Sequence, residues 1–97
     1  MREFEWDDIK SARNLEGRGF DFEYAARVFH GPTVTRQDRR RDYGEERMVA
    51  LGVVDGICLT VVFTDRIERG RHVRRIISAR HSNRRERDEY GNSLPQG

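Results

Sequence analysis

The chain has 97 residues, of which 35% are hydrophobic and 37% charged, with a formal net charge of +2. That length and balance fit one small α+β domain over residues 1–97 with a compact core, ordered over about 3–91, and leave no room for a second core. Cys58 is the only cysteine, which excludes disulfide frameworks and cysteine-based zinc sites; no stretch is apolar enough for a signal peptide or membrane span, so a cytoplasmic protein with no membrane partner is expected.

In chain order, Phe4-Glu5-Trp6 reads as a short strand. A helix then starts at Asp7 or Asp8, whose carboxylates suit a helix N-terminus. Trp6, Ile9, Ala12 and Leu15 recur at helical spacing until Gly17 and Gly19 stop the run. Asp21 can cap a second helix in which Phe22, Ala25, Ala26 and Phe29 form one apolar stripe, ended by Gly31-Pro32. "TVTRQDRRRDYGEER" reads as an edge strand followed by an exposed loop.

Three further strands follow. Arg47–Val54 and Ile57–Thr64 are joined by Asp55-Gly56, a two-residue hairpin signal; "DRIERGR" reads as a longer loop, and His72–Arg80 as the last strand. Asn83-x-x-Glu86 is a capping-box pattern opening a helix that runs to about Tyr90, and Gly91–Gly97 reads as a loose tail. Strict alternation puts Ile57, Leu59, Val61 and Phe63 on an apolar face. It puts Val73, Arg75, Ile77 and Ala79 together on the core side. Arg74, Ser78 and Arg80 then lie on an open face beside threonines of the neighbouring strand.

Every basic residue but Lys10 is arginine, and the charges are uneven: residues 1–35 carry five cations and seven anions, residues 36–97 fourteen and ten. Arginine's planar fork of donors matches carboxylate and phosphate. A basic second half is compatible with an acidic partner such as nucleic acid, and equally with an arginine-favouring codon usage.

Taken together, "FEWDDIKSARNLEGRGFDFEYAARVF", "DRRRDYGEERMVALGVVDG" and "RRIISARHSNRRERDEY" resemble the BrnT family of bacterial toxins. The resemblance spans roughly residues 4–90. It rests on Trp6-Asp7 with Lys10 and Asn14, on Gly44-Glu45-Glu46-Arg47, and on Ile77-Ser78-Ala79-Arg80 followed by Glu86 and Tyr90. It implies a RelE-like fold of two N-terminal helices, a four-stranded antiparallel sheet and a C-terminal helix. It also implies a ribonuclease toxin of a type II toxin–antitoxin pair that cleaves RNA and blocks translation. The implied partner is BrnA, a ribbon-helix-helix antitoxin, in a complex of two chains of each that meets operator DNA only through the antitoxin. Where the family commonly shows a Lys-His-Gly step after Asn14, this chain has Gly17-Arg18-Gly19.

RNA cleavage by the ribose 2′-OH without metal or cofactor needs a proton acceptor, positive charge at the phosphorane-like transition state, and a proton for the leaving oxygen. Arginine suits the second task and not the first, because its pKa lies above ~12. Arg80, Arg75 and Arg47, each in a family-like motif at a strand end, are the catalytic candidates. For Arg47 and Arg75, pairing with Glu45, Glu46 or Glu86 is an equal alternative. His81 and Glu86 are candidates for proton transfer, set against a surface histidine and a capping-box glutamate. Arg74, Arg18 and Tyr43 are candidates for RNA binding, Tyr43 by stacking. Two alternatives to the ribonuclease stand beside it: a catalytically weakened relative acting as an antitoxin-bound co-repressor, and an RNA-binding module.

Overall fold

The computed structural model describes residues 3–93. Along the chain they form β1 (Glu3–Trp6), α1 (Asp8–Arg18), α2 (Phe22–Ala26) continued by a 3-10 turn (Arg27–His30), β2 (Val34–Gln37), β3 (Met48–Val54), β4 (Ile57–Glu68), β5 (Arg71–His81) and α3 (Arg84–Ser93). The sheet has five strands in the order β1-β5-β4-β3-β2. The expectation of four antiparallel strands is therefore corrected: β1 adds a fifth, parallel to β5, with Glu3 opposite Val73 and Trp6 opposite Ile76. Helix α3 runs past Tyr90 to Ser93; the rest of the expected tail lies outside the described residues.

The caps act where the sequence places them. Asp7 Oδ1 accepts from the backbone N–H groups of Ile9 and Lys10 at 2.9 and 3.1 Å, and Asp21 Oδ1 from that of Tyr24 at 2.8 Å. Asn83 and Glu86 close a reciprocal capping box, both bonds 2.9 Å. Asp55 and Gly56, both at positive φ, make the β3–β4 turn. Arg69 and Gly70, also at positive φ, make a second two-residue turn where a longer loop was expected. The strands on either side persist because their charges pair across the sheet: Arg66 forks onto Glu5 at 2.6 and 2.7 Å, Arg71 reaches Glu3, and Arg74 forks onto Asp65 at 2.7 and 2.8 Å.

Helix α1 does not pack by its apolar stripe. Ile9 and Leu15 stay 66% and 51% exposed, whereas Ser11 and Asn14 are buried. Ser11 Oγ accepts from the N–H of Phe22, and Asn14 Nδ2 donates to Phe20 O at 2.8 Å. These bonds tie α1 to the segment entering α2 through polar groups, which hydrophobic periodicity cannot register.

The main core lies between α2 and the sheet: Phe22, Ala25 and Val28 pack on Leu59, Val61, Phe63, Ile76 and Ala79. A smaller core of Val49, Leu51 and Val62, with Val34, Ile77 and Tyr90 against it, lies under α3. Strict alternation fails in β5 because of a bulge. The register passes from Val62 opposite Ser78 to Phe63 opposite Ile76, leaving Ile77 unmatched. Ile76 and Arg74 therefore join Ala79 on the α2 face, while Arg75 and Ile77 move to the α3 face with Ser78 and Arg80.

Candidate functional site

Register builds the site on the α3 face. One row across β2, β3, β4 and β5 reads Arg36, Val49, Val62, Ser78; the next reads Val34, Leu51, Thr60, Arg80. Directly opposed residues share a face, so these side chains point the same way. Helix α3 packs Tyr90 against the cluster of Val49, Leu51 and Val62. Beside it lies a hollow of about 260 Å³ lined by Arg18, Arg36, Arg40, Val49, Thr60, Val62, Ser78 and Arg80.

Four different segments deliver the four guanidinium groups. Arg36 stands on the edge strand β2 and Arg80 near the end of β5. Arg40 comes from the β2–β3 loop, which is built around buried Asp38. The Asp38 N–H donates to Arg47 O at 2.7 Å, and its carboxylate takes the Arg40 fork at 2.9 and 2.8 Å. Arg18 ends α1, where Gly19 turns the chain at φ 87°. Because β1 stops opposite Ile76, the edge of β5 is bare beyond that point, and Arg18 reaches it, donating to Ala79 O at 2.7 Å and Asn14 Oδ1 at 3.1 Å.

Arg80 forks onto Glu86 at 2.6 and 2.8 Å; Arg36 lies 3.8 Å from the same carboxylate and 3.7 Å from Glu89. Burial by itself raises the Glu86 pKa, but the Arg80 fork and the Asn83 N–H outweigh it and hold the carboxyl at about 2. Asp38 is likewise held at about 2, chiefly by the Arg40 fork. The side chains of Arg36, Arg40 and Arg80 are still 48%, 74% and 44% exposed, so each keeps donors open to a ligand despite its carboxylate. Arg18 alone of the four has no carboxylate partner among the described residues.

The three catalytic candidates are not brought together. Arg80 lines the hollow. Arg75 instead donates to Glu5 at 3.0 Å in a network shared with Arg66, and Arg47 pairs with Glu45 at 3.1 Å and lies 4.0 Å from the Tyr43 ring centroid. Of the RNA-binding candidates only Arg18 reaches the hollow. Arg74, expected on the open face, is buried: the bulge turns it onto the α2 face, where it lies over Phe63 and Phe29 at 4.1 and 4.6 Å and binds Asp65. The Tyr43 ring is flanked by Arg47 and Arg41.

His81 sits on the α2 face, edge-on to Phe20 at 5.2 Å, and shares with Arg18 a different hollow from the one that holds Arg36, Arg40 and Arg80. Glu86 touches the site through Arg80, Arg36 and the Thr60 hydroxyl, and as a held carboxylate it accepts rather than donates. Arg36 was not singled out from the sequence, and Arg40 stands out there only as part of the run Arg39-Arg40-Arg41, which could track phosphates but reads by default as a solvated loop; Arg39 bonds to Gln37 instead. The convergence of Arg36 and Arg40 depends on register with strands far along the chain.

A larger hollow of about 590 Å³ between β1 and α2 mixes Asp21 and Glu23 with Arg27 and His30, a lining that does not favour a polyanion. Among the described residues, no three His, Cys, Asp or Glu side chains gather as metal ligands, and no helix is long and apolar enough to cross a membrane.

Fold and site thus define an α+β protein whose mixed sheet presents an arginine-lined hollow beside its last helix. Residues 6–86 match the family described as the ribonuclease toxin, BrnT, of type II toxin-antitoxin systems, and the chain belongs to that family. Membership makes it a ribonuclease toxin with an antitoxin for a partner. No curated protein matches the sequence.

Proposed function

We propose that the hollow beside α3 is where this toxin seats and cleaves an RNA strand. The observation that carries the reading is the convergence of Arg18, Arg36, Arg40 and Arg80 from four segments onto one hollow floored by Val49, Val62, Thr60 and Ser78. Permanently cationic forks set in advance around a phosphate stabilise charge as it grows on the equatorial oxygens during in-line attack by the 2′-OH. In this reading the arginines supply that charge without a metal ion. Cleavage in the cytoplasm inhibits translation, and a BrnA-like ribbon-helix-helix antitoxin neutralises the toxin in a complex of two chains of each.

The test is cleavage of single-stranded RNA by the purified chain in the presence of EDTA. Cleavage should persist, and the double variant Arg36→Ala/Arg40→Ala should lose at least about 100-fold in rate, the loss typical of removing transition-state donors. Intact RNA with the unaltered chain, or full activity in the double variant, sinks the reading; sensitivity to EDTA alone removes the metal-free part.

One observation favours a second reading. Among the described residues no histidine, cysteine or carboxylate side chain lines the hollow, so a catalytically weakened relative that serves as an antitoxin-bound co-repressor also fits. Bacterial survival at high expression, with operator binding that requires both proteins, selects that reading.

A further inference from the structure

We propose that Glu86 is a positioning residue of this site, setting the spacing between the Arg36 and Arg80 guanidinium groups. The inference rests on the preceding reading of the hollow as the RNA seat. Arg36 and Arg80 stand on β2 and β5, three strand steps apart in the sheet. At ~4.8 Å a step their backbones are ~14 Å apart across the sheet, and they are offset by two residues along it. Two like charges on long side chains diverge unless something draws them together. The carboxylate of Glu86, its side chain only 5% exposed, stands between them, taking both outer nitrogens of Arg80 and lying 3.8 Å from Nη2 of Arg36.

The carboxylate is itself fixed. It accepts the N–H of Asn83 at 2.9 Å as half of the capping box that starts α3. Helix start and arginine spacing thus share one side chain. A phosphate entering between Arg36 and Arg80 meets donors already aimed, although Glu86 adds a negative charge that weakens the hollow's grip on a polyanion. Glu86 therefore favours the rate at saturation at the expense of affinity.

The two effects have opposite signs, which makes Glu86→Gln informative. Glutamine also serves in capping boxes, so α3 keeps its start while the charge is lost. Single-turnover cleavage of a labelled single-stranded RNA is measured with the full chain, alongside RNA affinity across a salt series. The rate at saturating RNA should fall about 10- to 100-fold, as expected for misplaced transition-state donors. Affinity should tighten, and the log–log salt slope should steepen by about 0.7, the value for one additional cation on a single strand. Glu86→Asp, which keeps the charge with a shorter reach, should return the affinity and salt slope towards the original values.

A saturating rate within twofold of the unaltered chain overturns the proposal. So does a loss of rate and affinity together that tracks a lowered melting temperature, since that is the signature of a purely structural glutamate. Arg36→Ala separates this proposal from its foundation. If Arg36→Ala cleaves normally, the hollow is not the RNA site; if it is inactive while Glu86→Gln is unimpaired, only the positioning role falls.

Discussion

Arg36 and Arg80 line the same hollow but differ in what their removal does to the fold. The contacts of Arg36 with Glu86 and Glu89 are 3.7–3.8 Å long and its own side chain is half-exposed, and loose ion pairs made by an exposed arginine contribute about 0–1 kcal/mol. Arg36→Ala should therefore melt within a few degrees of the unaltered chain while losing RNA cleavage. Arg80→Ala strands the buried Glu86 carboxylate and should cost about 1–3 kcal/mol, read as a lower urea midpoint. Equal stability of the two variants would contradict the assignment of Arg80 as the main partner of Glu86. Gly52 is a purely structural case: a Cβ there would lie 2.8 Å from Val28 Cβ and 3.3 Å from Thr33 Cγ2. Gly52→Ala must push β3 away from the 3-10 turn and should lose about 1–3 kcal/mol on thermal melting.

Among the elements, the distal half of the β4–β5 hairpin depends most on charge. Beyond the bulge it extends to Glu68 and Arg71, exposed at the end of β4 but with Val73 and Arg74 of β5 buried, and β1 lies along it as a parallel strand. Glu5 of β1 accepts from both Arg66 and Arg75. Glu5→Gln should leave the main core intact and loosen this end alone. Native-state hydrogen exchange should show faster exchange of amides 65–74 with little change in 57–62; a uniform change over both segments would contradict such local coupling. Helix α3 has a different dependence. It is anchored by its capping box, by Tyr90 Oη donating to Pro32 O at 3.0 Å, and by the small core beneath it.

For the molecule as a whole, the uneven charge of the sequence does not become one basic face. The acids of β1 neutralise arginines of β4 and β5, with Glu3 on Arg71 and Glu5 on Arg66 and Arg75. The local hollow still gathers four arginines for a polyanion. The same pairing governs the response to acid. Glu5, Asp38 and Glu86 are all held at about 2, well below the ordinary carboxylate range, by the arginines that pair with them. A depressed carboxylate contributes stability that is fully present above its unfolded pKa and lost as pH falls through its folded one. Urea midpoints should accordingly be level down to about pH 5 and fall between about pH 4.5 and 2. A midpoint unchanged across that window would show that these pairs do not stabilise the fold.

The sequence by itself determined what depends on neighbours a few residues apart. Caps at Asp7, Asp21 and Asn83-x-x-Glu86, the Asp55-Gly56 turn, the α2 stripe and the placing of Ser78 and Arg80 on one face all follow from local spacing, and all appear in the fold. Tertiary structure decided the rest, because pairing partners distant in sequence leave no periodic trace. The unmatched Ile77 buried Arg74 and turned Arg75 outward, and the parallel docking of β1 claimed Arg75 for Glu5. The polar anchoring of α1 left Ile9 and Leu15 in solvent. Above all, the four arginines share a hollow through sheet register and the buried Glu86 and Asp38, and a guanidinium carries the same charge wherever the chain is read; only folding gives it a neighbour.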